Sequence, residues 1–249
     1  MELAGTRIGE QAKAMGLFDE VKVYFTKDLE SCAPKTFSKY REFLNREHKG
    51  FGYFAWKPEL IETALEAFPN AQGVYWADAG CEIFTTPWNR LTMRYLLRGA
   101  EKKGYWFYSL NMPEYEYSKI DLIRMLNSSE EDVRTPQIQA TTFALCGVTG
   151  RRILKAWLEN SLKDIHYLDL SKSKAEELPG FIEHRFDQSI LSLVAKSYKV
   201  KTSYIVPPVG VKSFWSTLHC LIAPIWASRN RTGESQIPKS FKLLSRNLY

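Results

Sequence analysis

The stretch Gly73-Val74-Tyr75-Trp76-Ala77-Asp78-Ala79-Gly80 decides which fold the sequence predicts. Its first five residues are an apolar run typical of a buried strand, and Asp78 and Gly80 favour a turn directly after it. Predicted helices and strands alternate on both sides of this stretch. Such alternation predicts an α/β fold with crossover connections and a mostly parallel sheet. Because ligands of these sheets bind at the carboxyl ends of the strands, Asp78 is the first candidate for a functional residue.

The other elements follow from hydrophobic periodicity and from helix-breaking residues. We predict helices over residues 6–15, 35–48, 59–68, 87–102, 121–126, 150–162 and 187–199. We predict strands over residues 21–25, 73–77, 105–110, 141–148 and 202–206.

Composition favours one domain followed by a basic tail. The chain has 249 residues, of which 45% are hydrophobic, and this is enough to bury the core of a single α/β domain. The net charge is +6, and residues 208–249 contain six basic side chains against one acidic side chain. We therefore expect a domain over residues 1–207 and a basic, partly apolar C-terminal tail over residues 208–249.

The tail has two interpretations. It either meets an anionic partner, such as a phosphorylated substrate or a lipid head group, or it is a solvated end. Residues 214–227 either lie in a membrane interface, with Trp215 and Trp226 as anchors, or form a core helix. No apolar run is long enough to span a bilayer and no signal peptide is visible. We expect a cytoplasmic protein with peripheral membrane contact through this tail, and no nucleic-acid partner because no binding motif is present.

The segment from Tyr75 to Glu82 is the first candidate site. Asp78 leaves an apolar strand and is suited to hold Mg²⁺ or Mn²⁺ through oxygen, with the ion bridging two phosphates. Gly80 would let the backbone approach a ligand closely, and Glu82 would assist directly or through water. The alternative interpretation is that Asp78 only begins a turn.

Two further segments carry candidate chemistry. Trp56 and Lys57 follow a glycine-rich aromatic stretch, where Trp56 would stack on a base and Lys57 would meet a phosphate; the alternative is a packed loop. Asp187 either caps the helix that it begins or faces a sugar together with Gln188. His184 is either a metal ligand, an acid/base group or a structural histidine. No P-loop, nucleophile elbow, zincin motif or dinucleotide fingerprint is present, which argues against those enzyme classes.

Taken together and in this order, three segments resemble a group of bacterial and viral glycosyltransferase-like proteins. They are GFGYFAWKP (residues 50–58), VYWADAGCEI (residues 74–83) and HRFDQSILSLV (residues 184–194). The resemblance implies the nucleotide-diphospho-sugar transferase fold (GT-A), a single-domain α/β/α sandwich with the donor at the carboxyl side of the sheet. It also implies that a strand opens the fold; either residues 2–4 are the remnant of that strand, or the reading frame has been called short.

The resemblance further implies site residues. Asp78 matches the first Asp of the D-x-D motif that holds Mn²⁺ or Mg²⁺ on the donor diphosphate, whereas Gly80 stands in place of the second. Glu82 or His184 would then have to complete the metal site. The donor would contact Trp56, Lys57, Asp78, Ala79 and Gly80. Asp187 and Gln188 resemble the D-Q pair that faces the donor sugar in retaining galactosyltransferases.

The implied activity is metal-assisted transfer of a sugar from a nucleotide diphosphate to a glycan or lipid-linked glycan acceptor. This is a hexosyltransferase reaction of the kind used in polysaccharide biosynthesis. An acidic, tyrosine-rich stretch containing Glu114, Glu116 and Asp121 either forms the acceptor loop or is an ordinary surface loop. The alternative is a non-catalytic nucleotide-sugar or glycan-binding module of the same fold, which the missing second Asp permits.

Overall fold

A computed structural model describes residues 2–203 and 223–235 of the chain. Its helices are α1 (Glu2–Met15), α2 (Leu29–Cys32), α3 (Pro34–Tyr40), α4 (Gly50–Tyr53), α5 (Lys57–Ala67), α6 (Pro87–Lys103), α7 (Glu114–Tyr117), α8 (Ile120–Met125), α9 (Glu130–Arg134), α10 (Gly147–Ser161) and α11 (Asp187–Ser197). Its strands are β1 (Gly73–Ala77), β2 (Glu82–Ile83), β3 (Tyr105–Trp106), β4 (Ser109–Pro113), β5 (Pro136–Ile138), β6 (Thr142–Cys146) and β7 (Ile225–Trp226). The protein is therefore a mixed α/β structure.

Most of the long predicted helices and the strand β1 lie where periodicity placed them. The helix predicted over residues 35–48 is wrong in its second half, because α3 ends at Tyr40 and residues 44–48 are not helical. The start of the chain also differs. Residues 2–4 belong to α1, so the remnant strand predicted there is wrong. Residues 21–25 form no strand. Their alternating side chains pack against glycines of α1 instead: a Cβ built on Gly9 would lie 2.6 Å from Val23 Cγ2, and one built on Gly5 would lie 3.1 Å from Phe25. Of the strand predicted over residues 202–206, only the part up to Ser203 lies within the described residues.

The prediction of a mostly parallel sheet is not confirmed. The largest sheet has the order β1-β6-β3, and β3 pairs with β6 antiparallel, with Tyr105 opposite Leu145. The pairs β4/β5 and β2/β7 are also antiparallel. The physical reason is the local path of the chain. Strands β3 and β4 run in one direction and β5 and β6 run back beside them, so that the four strands form an antiparallel ribbon rather than crossover units.

The chain folds into two compact units, each with its own packing. Unit 1 contains residues 2–25, 76–99 and 223–235 among those described, and unit 2 contains residues 26–75 and 100–203. In unit 1, α1 packs against β2, which pairs with β7. Trp226 lies in β7 and stacks on Phe84 at 6.5 Å, so residues 223–227 do not form the end of the helix predicted over residues 214–227. Trp215 lies outside the described residues.

Unit 2 is built around α10. Ile153, Leu154 and Trp157 recur at helical spacing and are buried, and α10 packs against α5, α11 and β6. The Trp157 ring meets Phe143 of β6 edge to face at 5.8 Å. Helix α11 buries Ile190 and Leu191 in the same way and packs on β5, so that its first residues are held next to the β5–β6 connection. No helix of the described residues is both long and apolar enough to cross a bilayer.

Candidate functional site

The centre of the candidate site in unit 2 is a buried ion pair between two predicted site residues. Lys57 begins α5 and Asp187 begins α11, and Lys57 Nζ lies 3.0 Å from Asp187 Oδ2. The two side chains are only 2% and 5% exposed. Lys57 Nζ also donates to Ala140 O at 3.3 Å and lies 4.8 Å from the centre of the Phe54 ring. The structure therefore brings together the segments of residues 50–58 and 184–194, which lie far apart along the chain.

The backbone around this pair is strained on both sides. The five residues from Gly50 to Phe54 all have positive φ, including Phe51 at 55° and Tyr53 at 58°. Phe186, directly before Asp187, has φ 55°. The rings of Tyr53 and Phe186 stack with centroids 5.5 Å apart. Bulky residues seldom adopt positive φ, and such strain is concentrated at functional sites, where surrounding contacts maintain it.

Gln188 is held by β5 and by the connection from β5 to β6. Its Oε1 accepts from Ala140 N at 3.4 Å, and its Nε2 donates to Gln137 Oε1 at 2.7 Å. Ala140 therefore joins the two motifs, since its carbonyl accepts from Lys57 and its amide donates to Gln188. Sequence reasoning missed both Gln137 and Ala140. The available signal was the pair of glutamines in a strand-like run, Gln137 and Gln139, which are both buried.

A buried polar network continues from Gln137 and corrects the predicted acceptor loop. Glu114 is fully buried and accepts from Gln137 Nε2 at 3.0 Å, from Ser118 Oγ at 2.7 Å and from Lys196 Nζ at 2.9 Å. Ser192 Oγ also donates to it. Burial lowers the pKa of Lys196, and the charge of Glu114 opposes this shift. Glu114 therefore organises the interior of unit 2 and does not face an acceptor.

Asp187 does not act as the side-chain N-cap that the alternative interpretation expected. The N-cap of α11 is Phe186, which has no side chain able to cap, and Asp187 is the first helical residue. A carboxylate in the first turn still interacts favourably with the helix dipole. Trp56 is half-buried and its Nε1 donates to Gly50 O at 3.0 Å, so its indole is fixed against the strained turn. Stacking of Trp56 on a base stays a prediction.

In unit 1, Asp78 begins the turn that follows β1. Its carbonyl accepts from Cys81 N at 2.8 Å, and its Oδ1 accepts from Trp76 Nε1 at 2.8 Å. The side chain is half-buried. The turn interpretation is therefore confirmed, and it is compatible with a ligand role because the Trp76 indole orients the carboxylate.

The residues after Asp78 contact the chain's own backbone. Ala79 O accepts from Arg7 Nη2 at 3.0 Å, and Gly80 O accepts from Asn230 N at 3.0 Å. A Cβ built on Gly80 would lie 3.4 Å from Arg229 Cα. A side chain at this position would therefore make only ordinary van der Waals contact with residues 229–230, and packing within unit 1 does not require glycine there. Donor contacts of Ala79 and Gly80 stay predictions.

Glu82 does not supply the second carboxylate of a metal site. It is fully buried, and its Oε1 accepts from Asn230 Nδ2 at 3.1 Å while its Oε2 accepts from Ser235 Oγ at 2.6 Å. Arg7 Nη1 lies 4.0 Å from Oε1. Burial lowers the pKa of Arg7, and the charge of Glu82 opposes this shift. Both carboxylate oxygens are therefore used within unit 1.

His184 is likewise a structural residue rather than a metal ligand. Its Nδ1 accepts from Lys119 N at 3.3 Å, and its Nε2 lies 2.9 Å from Tyr167 O. These partners assign the proton to Nε2 and leave neither nitrogen for a metal. Burial lowers the pKa of His184 to about 3, so the ring is neutral. Within the described residues no group of three or more His, Cys, Asp or Glu is placed to hold a metal ion, and the predicted set of Asp78, Glu82 and His184 does not fit one.

No protein-family model matches this sequence, and no curated protein is similar to it in sequence. Among solved structures, the crystal structure of mouse xyloside xylosyltransferase 1 in its apo form is similar to this chain. The match has a TM-score of 0.40 and 10% sequence identity, and it covers 92% of this chain and 81% of that chain. A likeness of this strength shows nothing about the activity of this chain.

Proposed function

We propose that the protein is a glycosyltransferase of the nucleotide-diphospho-sugar transferase type, with the α/β/α sandwich of that fold. The observation that carries the proposal is the buried pair of Lys57 and Asp187, with Gln188 beside it. The resemblance assigned these residues to the donor site separately. Their meeting between two strained backbone segments is what a site built for a ligand requires.

In this proposal a hydroxyl oxygen of a glycan or lipid-linked glycan bonds to the anomeric carbon of the donor sugar. The bond from that carbon to the phosphate oxygen breaks, the hydroxyl proton passes to water, and a nucleoside diphosphate departs. Gln188 orients the sugar, and Asp187, whose carboxylate is buried against Lys57, holds the start of α11 that carries Gln188. Lys57 is a positioning residue, because its charge is already compensated by Asp187 and its second contact is Ala140. Trp56 stacks on the base in this proposal, and the donor contacts of Asp78, Ala79 and Gly80 in unit 1 rest on the resemblance alone.

Of the predicted metal set, Asp78 is the residue that would still hold a divalent cation, Mn²⁺ or Mg²⁺, and the ion would supply positive charge to the departing diphosphate. One carboxylate together with substrate phosphates is a common way to hold Mg²⁺. Glu82 and His184 do not complete a ligand set, and the role of Gln188 does not depend on the ion. The cytoplasmic location and the contact of the tail with a membrane also stay predictions.

The test measures release of nucleoside diphosphate from UDP-glucose, UDP-galactose and GDP-mannose by the full chain, with and without Mn²⁺. We expect Asp78→Asn to reduce release in the presence of Mn²⁺ at least tenfold, because the carboxylate that would hold the cation is lost, and a carboxylate beside the diphosphate can assist its departure only through a cation. Asp19→Asn is the matched control, since Asp19 is an exposed acid in the same unit. A folded Asp78→Asn protein with unchanged activity would remove Asp78 from the mechanism.

A non-catalytic nucleotide-sugar or glycan-binding module is the second candidate. It is favoured by one observation: the two residues expected to replace the missing second Asp, Glu82 and His184, are used in buried structural contacts. A thermal-shift screen separates the two candidates, since a ligand that binds only the folded state raises the melting temperature. Stabilisation by nucleotide sugars without any turnover, across several acceptors, would favour the module.

A further inference from the structure

Helix α6 exposes an apolar stripe on one face of unit 1. Trp88, Leu91 and Tyr95 are spaced by three and four residues, which places them on the same side of the helix. They are 65%, 57% and 65% exposed, whereas Met93 and Leu96 on the opposite side are buried. Among the described residues, eight large apolar side chains are exposed, and three of them lie in these two turns. Clustering of this kind marks an interaction surface, because single exposed apolar residues are usually scattered.

The charge of the same segment points to the chemistry of the partner. Residues 87–99 contain three arginines and no acidic residue. Arg90 donates to Ala14 O at 3.0 Å and is used within the unit. Arg94 and Arg98 are exposed on the flank of the apolar residues. We call Trp88, Leu91, Arg94, Tyr95 and Arg98 the α6 stripe.

We propose that the α6 stripe docks the protein on an anionic lipid surface. Tryptophan and tyrosine favour the boundary between head groups and acyl chains, because the ring contacts the acyl chains while its N–H or O–H group stays hydrated. Leu91 adds apolar contact, and the two arginines attract phosphate head groups. Both charged residues of the α6 stripe are arginines, and the acidic residue of the helix, Glu101, follows the stripe, so the stripe presents a charge that complements an anionic lipid surface. This inference does not depend on the proposed activity.

The test is co-sedimentation of the full chain with vesicles. One set contains phosphatidylcholine alone and the other contains phosphatidylcholine mixed with phosphatidylglycerol. We expect binding to the anionic set only, and weaker binding as salt is raised. Trp88→Ser with Leu91→Ser, and Arg94→Glu with Arg98→Glu, should each weaken binding roughly tenfold.

Two control variants keep the test specific. Val148→Ser removes an apolar side chain that is 69% exposed elsewhere, and Arg152→Glu reverses an exposed charge elsewhere. Both should bind as the wild type does, and melting curves should show all variants folded. The proposal is overturned if the stripe variants bind like the wild type, or if neutral and anionic vesicles bind equally. It is also overturned if the stripe variants change only the oligomeric state, which would identify a second copy of the chain as the occupant.

Discussion

At the scale of single residues, the pair of Lys57 and Asp187 stands out because two charges are almost completely removed from water. Taking an ion out of water is costly, and the attraction between the partners offsets this cost only while both are present. The contacts of Lys57 with Ala140 O and the Phe54 ring add to that compensation. Removal of either charge therefore leaves the other buried without compensation. Substitution of one of the two residues alone should strongly lower the free energy of unfolding.

We predict that Lys57→Met destabilises the protein by about 3–5 kcal/mol, because it leaves Asp187 buried without its cation. Asp187→Leu should cost a similar amount. The double variant should cost much less than the two single variants together, since no uncompensated charge remains. Urea unfolding of the four proteins measures this difference. Lys155→Met serves as the control, because Lys155 and Glu159 form an exposed pair at 3.9 Å and should contribute almost nothing. Additive effects at Lys57 and Asp187 would contradict the prediction.

At the scale of elements, the strained turn from Gly50 to Phe54 supports the start of α5. Gly52 has φ 87°, and a Cβ built there would lie 2.6 Å from Leu44 Cδ2 and 3.1 Å from Phe43 O. Glycine is thus required both for its backbone conformation and for close packing. The turn positions the Phe54 ring next to Lys57 and the Tyr53 ring against Phe186. A change in the backbone of the turn should therefore displace the contacts that surround the ion pair.

We predict that Gly52→Ala destabilises the protein by about 2–4 kcal/mol, of which roughly 1 kcal/mol comes from the left-handed backbone and the rest from the clash. Gly147→Ala isolates the backbone contribution, because Gly147 has φ 54° and none of the described residues comes within 4 Å of its built Cβ. Thermal melts of both variants at matched concentration provide the comparison. Equal melting temperatures for Gly52→Ala and Gly147→Ala would show that the clash is relieved at no cost.

The elements also show which parts of the structure the sequence could predict. Helices α10 and α11 were predictable, because their buried residues recur with the period of a helix. The ribbon of β3, β4, β5 and β6 was not, since the residues of a strand do not encode the direction of its partner. The strand predicted over residues 21–25 is wrong. An alternating pattern only shows that every second side chain is buried, and here these side chains pack on the glycines of α1 rather than in a sheet.

The candidate site divides in the same way. Lys57, Asp187 and Gln188 could be proposed from residue type and motif, but their contacts could not, because the chain between them determines whether they meet. Ala140 was missed because it acts through its backbone, which leaves no signal in residue type. Glu82 and His184 were assigned to a metal because carboxylates and imidazoles bind metals, although the same groups also satisfy buried amides and hydroxyls.

At the scale of the whole molecule, unit 1 is assembled from segments that are distant in sequence. Arg7 Nη2 of α1 donates to Ala79 O at 3.0 Å, to Cys81 O at 3.0 Å and to Asn230 O at 3.2 Å. The Glu82 carboxylate accepts hydrogen bonds from Asn230 Nδ2 and Ser235 Oγ. These contacts close only when the first, middle and late parts of the chain have all been placed. Folding of this unit should therefore be slow for its size, because long loops must be ordered before the contacts form.

The dependence of global stability on pH should be dominated by His184. Its pKa is lowered to about 3 by burial and, to a smaller extent, by the charge of Lys119, whereas an unfolded histidine has a pKa of 6.5. Between these values the unfolded state binds more protons than the folded state, so the free energy of unfolding falls as pH falls from 6.5 towards 3. At about pH 5 the loss amounts to roughly 2 kcal/mol relative to pH 7. The carboxylates of Asp121 and Asp169 also have lowered pKa values, because hydrogen bonds to their charged forms outweigh burial, and they act only below the ordinary aspartate pKa of 3.8.

We therefore predict that His184→Gln, although less stable than the wild type at about pH 7, loses much less stability between about pH 7 and about pH 5. The amide can replace one or both backbone hydrogen bonds of the ring but has no proton to gain in this range. Urea unfolding at the two pH values gives the free energies, and the quantity that matters is the difference between them for each protein. If His184→Gln shows the same loss as the wild type, the buried imidazole is not what makes the fold sensitive to acid. The neutral, structural assignment of His184 would then have to be abandoned, and its place among candidate ligands reopened.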